Sequence, residues 1–274
     1  MELNWLQSLF YGLVCGLAEF FPVSAEAHRR LYLTLFGGTT EEPGLVFAVR
    51  VGCLAALIFS VFPLITRLYR DSQLSGLRRS KHRADPGSLA TLGILKIAVF
   101  PVLLALVAMG IADAAVEKPW VLSIILALSG VVLYIPRHLP SGNKGAAGFT
   151  FLDSLLMGLS GALGVIPGVS RVGMMLSVTQ MRGADRRFSF DLCLILCIPV
   201  LLVLSAISGI STIAAGGVEF LDFLRHTCSA ATAFLGAYLS IFIMRFLAFK
   251  SDHTGFAYYS WGLALATFIV YLAI

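Results

Sequence analysis

Long apolar runs separated by short polar links set the rhythm of this chain. Six stretches come close to the roughly 20 mostly apolar residues that a helix needs to cross a bilayer: about 44 to 66, 89 to 112, 119 to 136, 192 to 215, 228 to 248 and 256 to 274. Two more, about 4 to 35 and 150 to 181, are apolar but broken, the first around Pro22 and the second at Pro167 and Gly168. Proline removes a backbone donor and glycine admits conformations that other residues avoid, so each break ends a helix. The pattern predicts an all-α integral membrane protein forming a single polytopic domain over residues 1–274.

Composition supports this. Of 274 residues, 58% are hydrophobic and 13% charged, with mean hydropathy +0.89, more apolar surface than a soluble domain can bury. Glu2 and the lack of a basic residue before the first apolar run argue against a cleaved signal peptide, so the membrane segments are expected to direct insertion. Cys15, Cys53, Cys193, Cys197 and Cys228 all lie inside apolar stretches, an odd count without framework spacing, and read as packing residues. The net charge of +5 lies mostly in short links, which points to membrane topology rather than to nucleic acid.

Positive charge in links marks the cytoplasmic side. The link holding Arg67, Arg70, Arg78, Arg79, Lys81 and Arg83 is therefore expected inside, the one with Asp113, Glu117 and Lys118 outside, and the one with Arg137 and Lys144 inside. Were 150 to 181 a full crossing, Arg182, Arg186 and Arg187 would lie outside; a re-entrant hairpin keeps them inside. By the same count the link at Glu219, Asp222 and Arg225 is outside, the one at Arg245 and Lys250 is inside, and the first broken stretch is a hairpin opening from outside. Arg50, Lys96 and Arg171 fall at membrane depth.

Laying residues 12 to 24 on 158 to 170 matches Gly12 with Gly158, Leu13 with Leu159, Leu17 with Leu163, Val23 with Val169 and Ser24 with Ser170. Each half then reads as one broken hairpin followed by three spans, about 1–140 and about 148–274. Three is odd, so the halves must point in opposite directions. That is an inverted-topology repeat, in which broken helices meet at a polar site near the midplane.

The polar residues gather at the breaks. GLVCGLAEFFPVSAEAHRR carries Glu19, Ser24, Glu26 and His28, and GVIPGVSRVGMM carries Ser170 and Arg171 at the expected start of a helix. Ionisable residues at membrane depth are costly and mark function, although Glu26, His28, Arg29 and Arg30 could also lie at the water interface. A helix N-terminus attracts phosphate oxygens, and Arg171 adds a planar fork that grips phosphate with two hydrogen bonds.

The first string resembles the E-x-x-x-E and PVSSTGH patterns of the undecaprenyl-diphosphate phosphatase family of bacteria, and the second resembles its PGxSRSGAT pattern. Gly52, Lys96, Pro101, Gly183, Arg186 and Pro199 extend the likeness over nearly the whole chain. The resemblance implies a multi-pass protein of the bacterial plasma (inner) membrane that hydrolyses undecaprenyl diphosphate, a polyprenyl diphosphate, with help from a divalent cation such as magnesium. It implies His28 as base or nucleophile and Ser24 as its hydroxyl partner. Gly168, Ser170 and Arg171 would bind phosphate, and Glu19, joined by Glu26, would hold the metal. The chain also departs from the pattern. The family's first glutamate is Cys15; Ala25, Glu26 and Ala27 stand in the first motif, Val172 and Met175 in the second, and a glutamine position holds Arg50. A transporter or flippase of the lipid phosphate, or a non-catalytic binder of it, are the competing expectations.

Overall fold

The computed structural model describes residues 3–36, 42–76, 84–116, 118–140, 142–250 and 254–273. Among them the regular elements are helical: α1 (Trp5–Phe20), α2 (Ala25–Leu35), α3 (Pro43–Gly76), α4 (Pro86–Leu106), α5 (Met109–Ala115), α6 (Pro119–Tyr134), α7 (Phe151–Ala162), α8 (Arg171–Met181), α9 (Arg186–Ala214), α10 (Phe220–Lys250) and α11 (Gly255–Ala273). Six are long and apolar enough to cross a membrane, namely α3, α4, α6 with the turn that follows it, α9, α10 and α11. These are the six expected spans. Of the basic link, Arg78, Arg79, Lys81 and Arg83 lie outside the described residues, as does Glu117.

Each hairpin helix is started by its own sequence. Asn4 and Gln7 form a reciprocal cap on α1, and Thr150 and Asp153 form one on α7, so the first free N–H groups of both helices are satisfied locally. After the breaks, Ser24 caps α2 by accepting from Ala27 N, and Ser170 caps α8 by accepting from Gly173 N. The tight turn before Ser170 needs Gly168 at φ 96, where a Cβ would also meet Ile125 at 2.9 Å.

Packing pairs the two halves. α1 lies on α10 and α7 on α4, while α3 lies against α9 and α6 against α11. Both hairpin contacts rely on glycine: a Cβ on Gly12 would fall 2.2 Å from Ser229 O of α10, and one on Gly158 would fall 2.4 Å from Ala98 O of α4. With lipid on the outside, such close backbone approach supplies the dispersion contact that holds membrane helices together. Gly12 and Gly158 are the residues that the two-half alignment matched, and the pairing is consistent with that repeat.

Four boundaries differ from the sequence expectation: α3, expected to end near 66, runs on to Gly76 and takes in Arg67 and Arg70 of the basic link. The stretch 89 to 112 is not one span, since α4 ends at Leu106 and the separate α5 follows. Its end is held from outside: Arg30 Nη1 donates to Val116 O at 2.8 Å, just past the last turn of α5, where a cation complements free carbonyls. α10 begins at Phe220 rather than near 228, so Asp222 and Arg225 are helical instead of lying in a link. The buried Arg225 meets Glu42 at 2.6 Å and Asp222 at 2.9 Å there, and it also donates to Leu3 O. α9 likewise begins at Arg186, capped by Asp185. No disulfide joins the cysteines; four are buried as expected, but Cys228 is exposed on α10.

Candidate functional site

The two hairpins bring their breaks together. Arg171, the first residue of α8, reaches Glu19 near the end of α1, with Nη1 to Oε1 at 3.3 Å. A second link crosses at the turns, where Gly168 N donates to Ser24 Oγ at 3.1 Å. Ser24 thus accepts from Ala27 N and Gly168 N at once, and it is buried. One hydroxyl holds its own helix end and the facing hairpin.

Around this junction is an inner cavity of about 100 Å³ with Glu19, Glu26, Arg29, Arg50 and Arg171 in its wall. A wider outer cavity of about 860 Å³ shares Glu26, Arg29, Arg50 and Asp113 with it and adds Arg30. Apolar side chains such as Leu31, Met109, Leu122 and Ile207 cover the rest of the outer wall. Both cavities lie toward the helix ends far from Arg67 and Asp85. A charged inner chamber with a larger, partly apolar antechamber suits a ligand with an anionic head and a hydrocarbon tail.

The charged groups are fixed by one another. Glu26 meets Arg29 at 2.7 Å and Arg30 at 3.2 Å, and Arg30 Nη2 meets Asp113 at 3.1 Å. Arg50 crosses from α3 to α9, where its Nη1 donates to Leu204 O and to Ser208 Oγ, each at 3.0 Å. Arg29 and Arg30 therefore stand in the cavity walls beside Glu26. Asp113, expected only in an external link, joins them from α5.

His28 does not share this setting. Glu26, Arg29, Arg30 and Leu33 face the outer cavity from one side of α2, whereas His28, two residues or about 200° from Glu26, points away. Its Nδ1 is 2.7 Å from Ser24 O, and its Nε2 is 2.6 Å from the hydroxyl of Tyr259 on α11, with the rings stacked at 5.6 Å. The residue expected as base thus joins α2 to α11 through its Nε2. The helical turn between positions 26 and 28 was the available signal.

The expected metal ligands, Glu19 and Glu26, do face one cavity. Glu26, however, is engaged by Arg29 and Arg30, and Glu19 meets Arg171 through one oxygen. Among the described residues, no three His, Cys, Asp or Glu side chains gather as a cation would need. Magnesium asks for near-octahedral oxygen ligands and is held by one or two carboxylates with substrate phosphates. Carboxylates already bound to arginines do not make a resident site for it.

The chain matches the family described as bacitracin resistance protein BacA over residues 8–266. An undecaprenyl-diphosphatase of Carboxydothermus hydrogenoformans is 28% identical over 278 residues, covering 99% of each chain. One from Nocardioides sp. is 32% identical over 201 residues, covering 73% of this chain and 72% of its own. One from Desulforudis audaxviator is 34% identical over 195 residues, covering 69% and 71%. With two facing hairpins, six apolar spans and a family match over nearly its whole length, the chain belongs to the bacitracin resistance protein BacA family.

Proposed function

We propose that this protein is an undecaprenyl-diphosphate phosphatase of the bacterial plasma (inner) membrane. It removes the terminal phosphate of undecaprenyl diphosphate, leaving the monophosphate and inorganic phosphate, and so recycles the lipid carrier of cell-wall precursors. The relatives bearing that name support the reaction. The observation that carries it to particular atoms is the Glu19–Arg171 contact where the two hairpins meet. The two halves are read as inverted repeats, with residues 67 to 88 cytoplasmic and the cavities facing outward.

In this reading the polyprenyl tail lies along the apolar wall of the outer cavity and the diphosphate enters the inner one. Arg171 and the N–H groups that open α8, near Gly168 and Ser170, take the terminal phosphate. Arg29 and Arg50 face the remaining phosphate oxygens. A water attacks the terminal phosphorus as the bridging P–O bond breaks, and the bond's electron pair leaves with the lipid monophosphate. Glu19 takes the water's proton. Positioning and charge neutralisation supply most phosphoryl-transfer catalysis, and fixed guanidiniums provide both. Ser24 and His28 act by position, Ser24 joining the turns and His28 pinning α2 to α11.

Release of inorganic phosphate from undecaprenyl diphosphate by the purified protein in detergent tests the proposal. Release should be lost in Arg171→Ala, and its absence in the folded wild type would overturn the reading. Transport of the lipid phosphate without hydrolysis is a second reading, favoured by the turning of His28 away from the cavity. Lipid movement across vesicles with no phosphate released would select it.

A further inference from the structure

Resting on the phosphatase reading, we infer that this chain binds the diphosphate with guanidinium groups in place of a divalent cation, so that neither binding nor cleavage requires one. Arg29, Arg30, Arg50 and Arg171 stand around the two cavities, against Glu19, Glu26 and Asp113. Positive charge is in excess by one before any ligand enters. The carboxylates hold the arginines in place rather than standing open to a metal, as the contacts of Glu19 with Arg171 and of Glu26 with Arg29 and Arg30 show.

Cys15 and Arg50 supply a second, independent observation. Both line the inner cavity, and both stand where the resemblance implies other residues: a carboxylate at 15 and a neutral amide at 50. One negative charge is absent and one positive charge is added at the same wall. The two changes together equal the charge of one divalent cation. Cys15 is buried and offers no carboxylate oxygen to a magnesium ion, while Arg50 is oriented by Leu204 O and Ser208 Oγ. A guanidinium stays charged at any physiological pH and matches two phosphate oxygens at once. In a site shielded from water it neutralises phosphate without a metal's demand for six ligands.

The test measures binding of undecaprenyl diphosphate to the full chain in detergent, and phosphate release from it, each with excess EDTA and with magnesium. Affinity and release should agree between the two conditions within about twofold. Arg50→Gln should weaken binding in EDTA by at least about thirtyfold, as expected when a buried charged partner is removed. Arg50→Lys, which keeps the charge but loses the fork, should fall between. The double variant Cys15→Glu with Arg50→Gln should bind and cleave only with magnesium. Wild-type binding or release that vanishes in EDTA overturns the inference and leaves the phosphatase reading standing. No release in either condition overturns that reading instead. Because the wild-type comparison decides the matter, a variant that fails to fold does not shield the inference.

Discussion

Arg171 carries more of the site than any other side chain, because it ties the second hairpin to the first and opens α8 toward the inner cavity. Arg171→Ala should abolish lipid binding and lower stability by about 1–2 kcal/mol, between the exposed and buried limits, since Glu19 would be left half-buried without its partner. Binding by scintillation proximity and unfolding in detergent would check both effects. His28 poses a different question at the same scale. If it acts only by holding α2 against α11, Tyr259→Phe should reproduce the loss seen in His28→Ala, because each change breaks the same 2.6 Å contact. If His28 is the chemical base, Tyr259→Phe should keep most of its phosphate release while His28→Ala does not. The family pattern pointed to Glu19, His28 and Arg171 as a group, yet Glu19 and Arg171 share a cavity with Glu26 while His28, on the same helix as Glu26, turns away from it. Spacing along the helix separates them; the motif alone does not. Asp113 was missed for the opposite reason, because its partner Arg30 lies 83 residues away in sequence and no local pattern joins them.

Among the elements, the hairpins were the easiest to read, since Pro22, Pro167 and Gly168 break apolar runs too short to cross twice. The six spans followed from hydropathy in the same way. Their ends did not, because a charged residue can be helical and buried when a distant partner satisfies it. Arg225 with Glu42 is the case that moved the start of α10. The close contacts of the hairpin helices make a prediction of this scale. Gly12→Ala and Gly158→Ala put a methyl against a backbone oxygen, and neither α10 nor α4 can give way locally. Each should cost about 1–3 kcal/mol, measured as a lowered unfolding temperature in detergent. The far end of the second hairpin should respond to acid. Burial pushes the Asp153 carboxyl up, but the Thr150 N–H and the Arg182 guanidinium outweigh it and hold the group at about 2, below its ordinary 3.8. A carboxylate depressed in this way stabilises the fold fully above its unfolded value, and that stability is lost as pH falls from about 4 toward 2. Asp153→Asn should lower stability near neutrality and flatten the acid dependence over that window.

At the scale of the whole molecule, the pairing of α1 with α10 and of α7 with α4 is what two halves exchanged across a twofold axis would make. The site lies where the broken ends of both halves meet, which explains why residues 152 positions apart, Glu19 and Arg171, form one ion pair. Orientation is the part that packing cannot supply, because a helix bundle has the same contacts whichever way it faces the membrane. Charge in the links supplies it. The repeat makes this testable at two equivalent, exposed positions: Trp5 opens α1 and Phe151 opens α7, each just after a capping residue that would stay intact. In a background with Cys15, Cys53, Cys193, Cys197 and Cys228 replaced, Trp5→Cys should react with a membrane-impermeant thiol reagent in intact cells. Phe151→Cys should react only after the membrane is opened. Two halves of the same sense would carry both positions to one side, so labelling of both variants from outside would sink the inverted repeat. Reaction of Phe151→Cys alone from outside would keep the repeat but turn the molecule over, placing the cavities and their arginines on the cytoplasmic face.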